Sequence, residues 1–193
     1  MRTLYCGTAA ADPIADALSG AAWNVRRAPL PAATLDTAAA QAAATRTVAY
    51  AGRTLGGLDV VVLAPRLASR RPSSDRLPTR AAWHADLAGP LRGAWLLGRA
   101  AALALIEQAR GSLVVVIEAA AADDAIAAVA GEALHALVDG LRKAVPTTVG
   151  VVAVDLAGGR GDAARAAAAV RNAVEQSAVR RPAARRGARR APG

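Results

Sequence analysis

Apolar and polar positions along the 193-residue chain fall into two alternating periods. Leu58-Asp-Val-Val-Val-Leu-Ala64, Ser112-Leu-Val-Val-Val-Ile117 and Thr148-Val-Gly-Val-Val-Ala-Val-Asp155 are β-branched and apolar at nearly every position. Turn residues bound them: Gly56-Gly57 and Pro65, Gly111, and Pro146. Such runs suit parallel strands covered by helices on both faces. Thr3 to Gly7 and Ala22 to Arg27 read as two further strands, and a weaker one falls near Pro31 to Leu35. Between them, alanine-rich stretches predict helices near 13–19, 37–55, 80–109, 125–144 and 161–176. Strand alternating with helix builds βαβ units into one parallel sheet. Right-handed crossovers then favour an α/β, doubly wound sheet of about six strands in the order 3-2-1-4-5-6, with helices on both faces.

Length fits one domain able to bury a substantial core. The formal charge of +9 is concentrated at one end. Arg180, Arg181, Arg185, Arg186, Arg189 and Arg190 lie in the last 14 residues, which hold no acid, and without them the body is at about +3. The expected division is therefore a folded domain over residues 1–178 and a basic, disordered tail over 179–193. The tail reads as a solvated extension; its functional alternative is an arm for nucleic acid, anionic lipid or an acidic partner. No aromatic residue interleaves with its arginines, so base stacking is unsupported and a nucleic-acid partner is not expected. No apolar run approaches the roughly 20 residues of a membrane span, and Met1 leads straight into a strand without a secretory pattern. Cys6 is the only cysteine, which excludes an internal disulfide and fits a reducing, cytoplasmic setting. With His84 and His135 it forms no metal-ligand spacing, and no metal is expected.

Few groups invite chemistry. Glu118 with Asp123 and Asp124 stands at a strand's C-terminal edge, where α/β sites lie, but acids there also serve as helix-start residues. His135 adjoins an apolar stripe and reads as an interface or core histidine. Gly158-Gly-Arg-Gly161 lacks the Lys-Ser/Thr of a phosphate loop and reads as a turn. Asp12-Pro13 reads as an N-cap followed by proline at the first helical position.

Four landmarks in register resemble the short-chain dehydrogenase/reductase family over roughly residues 2 to 158. Gly56-Gly-Leu-Asp-Val-Val-Val62 is similar to the stretch leading into that family's Asn-Asn-Ala-Gly motif. Trp83-His-Ala-Asp-Leu-Ala-Gly-Pro90 is similar to its Asn-Leu-x-Gly segment, Gly111 to Ile117 to the strand delivering the catalytic serine, and Thr148 to Asp155 to the strand before its Pro-Gly turn. The resemblance implies a Rossmann-like fold and a nicotinamide cofactor. The working positions depart from it. Leu63-Ala-Pro-Arg66 replaces Asn-Asn-Ala-Gly, Asp86 the structural asparagine and Glu118 the catalytic serine. The Tyr-x-x-x-Lys pair falls near Ala127 and Gly131, and no tyrosine exists beyond Tyr50. Losing both removes the proton donor and the group that tunes it. The glycine-rich cofactor turn maps to Gly7, Ala11 and Pro13, the last without an N–H for a pyrophosphate. Arg26-Arg27 is similar to an NADP-type 2′-phosphate clamp but reads first as a solvated loop pair. The resemblance leads to the expectation that the family's last strand and substrate lid are missing.

The resemblance therefore implies a degenerate member: no cofactor expected, NADP being the alternative. In the family the helices near 91–107 and 125–144 form a four-helix dimer interface. Trp95, Arg99 and Leu103 on the first, with Leu134, Leu137, Val138 and Leu141 on the second, are the expected contacts. The function expected is a non-catalytic subunit paired with a competent ketoreductase-type homologue, or with a second copy. The alternatives are a divergent NAD(P)-dependent oxidoreductase using Asp86 or Glu118, and an anion- or nucleic-acid-binding adaptor acting through the tail.

Overall fold

Five parallel strands form one sheet in the order β2-β1-β3-β4-β5. The computed structural model describes residues 1–7, 12–30, 37–65, 80–118, 125–156 and 162–179. Along the chain come β1 (Arg2–Gly7), α1 (Pro13–Gly20), β2 (Asn24–Pro29), α2 (Thr37–Leu55) and β3 (Val60–Ala64). There follow α3 (Arg80–Trp83), a π-helical turn (His84–Ala88), α4 (Gly89–Glu107), β4 (Ser112–Glu118), α5 (Ala125–Ala144), β5 (Gly150–Leu156) and α6 (Ala163–Val179). No helix among the described residues is long and apolar enough to cross a membrane.

The doubly wound parallel architecture expected from the sequence is present. The observed order is the run 2-1-4-5-6 of the expected one, renumbered. The weak strand expected near Pro31 to Leu35 lies outside the described residues, as do Ala11, Arg66, Asp123, Asp124, Gly158 to Gly161 and the tail from Arg180. Because successive side chains point to opposite faces, each strand feeds two cores. Leu4, Cys6, Val61, Leu63, Leu113, Val115 and Val151 face α2, α4 and α5. Tyr5, Val60, Val62, Val114, Val116 and Val154 face α1 and α6. Small side chains bring α4 close: a Cβ on Gly98 would stand 3.2 Å from Leu141 and 3.4 Å from Leu63.

Two element boundaries differ from expectation for physical reasons. The second strand starts at Asn24 rather than Ala22, because Ala22 takes a left-handed φ of 63° in the turn that ends α1. Arg26 and Arg27 consequently lie inside β2, not in a loop beyond it. The helix expected over 80–109 is interrupted by the π-helical turn. Pro90 has no N–H to offer the carbonyl of Asp86 four residues back. The backbone widens, and the Gly89 N–H reaches the carbonyl of His84 instead.

Candidate functional site

In open α/β sheets ligands bind beyond the carboxyl ends of the strands, at the point where strand order reverses. Here β1 has β2 on one side and β3 on the other, so that point lies above Gly7 and Ala64. Asp12 occupies it. Its backbone is extended (φ −120°, ψ 117°), its Oδ1 accepts a 3.0 Å hydrogen bond from the Ile14 N–H, and Pro13 opens α1. The side chain is 2% exposed. Its Oδ2 lies so close that a Cβ on Gly7 would stand 3.2 Å from it. The N-cap read from Asp12-Pro13 is thus formed, and a carboxylate fills the helix end that an anion would use.

These residues do not fit the pyrophosphate of a dinucleotide. Pro13 offers no donor, and the buried carboxylate places negative charge against negative charge. Arg26 and Arg27, which pair in β2 with Leu4 and Tyr5 of β1, have partners of their own. The Arg26 guanidinium stacks on the Tyr50 ring at 4.2 Å from its centroid, and Arg27 pairs with Asp16 on α1.

A second concavity, of about 520 Å³, opens at the C-terminal ends of β4 and β5. Ile117, Glu118, Ala127, Ala128, Gly131, Glu132, His135 and Asp155 contribute to its wall. Glu118, Ala127 and Gly131, three of the four positions singled out as degenerate, therefore meet in one place. Asp86, the fourth, belongs to the π-helical turn. Ala127, Gly131 and His135 are one turn apart on α5, so the stripe that lacks large side chains ends on an imidazole. His135 Nε2 is 3.0 Å from Asp155 Oδ1, joining α5 to β5. The expected interface or core role for His135 gives way to this pair. Sequence reasoning also passed over Glu132 and Asp155. The available signal was a carboxylate at the end of an apolar strand and a histidine four residues beyond Gly131. Among the described residues no cluster of histidine, cysteine and carboxylate side chains suits a metal ion.

The outer faces of α4 and α5 divide the expected interface residues. Leu134, Val138 and Leu141 are at most 5% exposed and belong to the domain's own core. Their stripe is the one that packs on the sheet, which corrects the expectation that they meet a partner. Trp95 (46% exposed) and Leu103 (49%) do face outward, with Arg99 between them. Leu137 is half-buried and joins Leu91, Trp95, Ala133, Ala136 and Gly140 around a groove of about 380 Å³.

The opposite, N-terminal edge of the sheet holds polar groups that fasten the fold. Asp59 accepts from Arg2 through its backbone N–H (3.0 Å) and its guanidinium (2.6 Å to Oδ1). The hydrogen bond from Arg2 lowers the Asp59 pKa to about 2. Ser177 shares a 2.8 Å hydroxyl contact with Ser112 and donates to the Val174 carbonyl, seating α6 on β4. The only serine beyond residue 112 is thus a structural fastener, far from the cavity.

No family model and no curated protein matches the chain. Solved structures do match. A protein from Sinorhizobium meliloti 1021 described as a short-chain alcohol dehydrogenase shares 19% identity, with a TM-score of 0.64 over 83% of this chain and 74% of its own. A short-chain dehydrogenase from Rhodopseudomonas palustris shares 14% identity, with a TM-score of 0.63 over 89% of this chain and 91% of its own. At these identities the likeness is one of fold, and the fold is that of short-chain dehydrogenases.

Proposed function

We propose that this chain is a non-reductive, short-chain-dehydrogenase-like subunit. It acts by associating with a homologous chain, a competent ketoreductase-type relative or a second copy, and not by hydride transfer of its own. The observation that carries the reading is Asp12, whose buried carboxylate caps α1 where a dinucleotide's pyrophosphate needs free amides. The small residues Ala127 and Gly131, at the places the resemblance assigns to the tyrosine and lysine, support it. So do Trp95 and Leu103, large apolar side chains left in solvent on α4. Calorimetric and fluorescence titrations with NADH and NADPH test the reading. Neither cofactor should show saturable binding in the micromolar range; micromolar binding of either overturns it in favour of a divergent oxidoreductase.

The His135–Asp155 pair favours a second reading, redox-neutral acid–base chemistry in the cavity beside Glu118. A carboxylate on one imidazole nitrogen orients the ring and leaves the other nitrogen for proton transfer. The chain has only two histidines, so the His135 ring resonances can be followed during a small-molecule screen. Compounds of this site should shift them in the wild type and not after Asp155→Asn; a screen with no such shift removes this reading.

A further inference from the structure

Among the described residues the sheet ends on β2 at one side and on β5 at the other, and the two edges are built differently. β2 carries Arg26, Arg27 and Pro29, charged side chains and a proline of the kind that keep an edge from pairing. β5 reads Gly-Val-Val-Ala-Val-Asp-Leu over Gly150–Leu156, with no lysine, arginine or proline. The Gly150 N–H donates to the Gly111 carbonyl at 3.0 Å. Even-numbered residues of β5 therefore bond to β4, and Val151, Ala153 and Asp155 turn their backbone groups outward. Arg142 of α5 marks the same direction, its Nε donating to the Val151 carbonyl at 3.3 Å. Along this edge lies a trough of about 450 Å³, walled by Arg142 and Thr147 on one side and by Ala173, Gln176 and Ser177 of α6 on the other. We propose that the trough takes an extended segment of another protein, added to β5 as an antiparallel strand, with an acidic side chain opposite Val151 and a basic one opposite Asp155. This goes beyond the subunit reading, which concerns α4, and stands without it.

Direction and side chains follow from the edge itself. Antiparallel pairing is the more stable per residue, and in it Val151, Ala153 and Asp155 each exchange N–H and C=O with the residue opposite. The side chains of those opposite residues lie on the α5 face. Opposite Val151, the incoming N–H takes over the carbonyl that Arg142 Nε holds. Asp139 keeps Nη1 of Arg142 at 2.7 Å, so Nε and Nη2 are left side by side for a carboxylate, which a guanidinium grips with two parallel bonds. Opposite Asp155, whose Oδ1 is 3.0 Å from His135 Nε2, the other carboxylate oxygen serves a cation. Between the two, Ala153 is small and half-buried, and an apolar residue suits the place facing it. The same segment running the other way would bring its cation to Arg142 and its carboxylate to Asp155. The walls decide against a second copy of this chain. A copy's β5 is covered by α5 and α6 on its two faces, and those helices would meet the helices that wall the trough. A segment without helices enters it.

Titration of the full chain with acetyl-Thr-Lys-Thr-Val-Thr-Glu-Thr-amide, followed through the protein's amide resonances, tests this. Binding should saturate and slow hydrogen exchange at the N–H groups of Val151, Ala153 and Asp155. Those of Val152 and Val154 should not change, since they already bond to β4. A peptide with its Lys and Glu exchanged should bind about tenfold more weakly, and so should the first peptide to the Arg142→Gln chain. Ala153→Pro removes one outward N–H and spares the bonds to β4, so it should abolish binding. If that variant fails to fold, Arg142→Gln, altered at an exposed side chain, carries the test. Equal affinity for both peptides, or binding that leaves exchange at the three outward N–H groups unchanged, would overturn strand addition. So would the lack of saturation at millimolar peptide. A wild-type dimer in sedimentation that Ala153→Pro dissociates would overturn the partner named here and set a second copy on the edge. None of these outcomes touches the subunit reading, which fails instead on micromolar cofactor binding.

Discussion

Asp12 shows how one side chain can close a site and hold up an element. Its Oδ1 satisfies a backbone donor that α1 cannot pair internally, so Asp12→Ala should cost about 1 kcal/mol of stability, measurable by urea unfolding. Cys6 belongs to the interior: it is fully buried, and loss of hydration pushes its thiol pKa up to about 12. A thiol reagent at neutral pH should leave it unmodified in the native protein and label it once urea unfolds the chain. Asp59 sets an acid limit. Arg2 holds its carboxyl at about 2, below the ordinary 3.8, so the folded state binds this proton more weakly than the unfolded chain. The contribution is complete above about pH 4 and is lost as pH falls through 2. Melting temperature should decline over that window, and Asp59→Asn, already destabilised at neutral pH, should show a shallower decline.

At the scale of elements, periodicity revealed most of what is there, and its failures have identifiable causes. The bounds of α2 and α5 follow directly from their alanine-rich patterns, and the unbroken β3 and β4 runs mark the doubly covered centre of the sheet. The π-helical turn before α4 was hidden because residues 80–109 read as one continuous helix, and a helical pattern does not show how the backbone accommodates Pro90 inside it. On α5 the pattern gave a stripe but not its destination. Leu134, Val138 and Leu141 have the spacing expected of an interface, and equally that of a face packed on strands; only three-dimensional position separates the two. That distinction is measurable. Leu134→Ala should cost about 2–5 kcal/mol and leave association unchanged. Leu103→Ala should change the stability of the monomer by no more than about 0.5 kcal/mol. The cavity site was half legible for a related reason. Glu118, Ala127 and Gly131 came from a resemblance in sequence order, whereas His135 and Asp155 lie 20 positions apart and meet only because α5 returns the chain beside β4 to start β5.

For the whole molecule, the two helical layers differ in how they close. On one face α2, α4 and α5 pack side by side; on the other α1 and α6 cover the sheet. The second layer is the thinner, and α6 supplies Ala166, Ala167, Val170 and Val174 to it before the Ser177–Ser112 contact fastens its end. Among the described side chains, the apolar ones that α6 contributes to the two cores end at Val174, and the six arginines that dominate the net charge all follow Val179. Stability and charge should therefore separate cleanly along the chain. A protein ending at Val179 should keep the melting temperature of the full chain and lose most of its affinity for a cation exchanger. One ending at Glu175 should melt lower, because Ser112, 1% exposed at the foot of β4, then loses its hydroxyl partner and α6 loses its last turn. Calorimetry on the three lengths distinguishes the cases: an equal fall for both truncations would mean that the arginine segment itself carries folding energy.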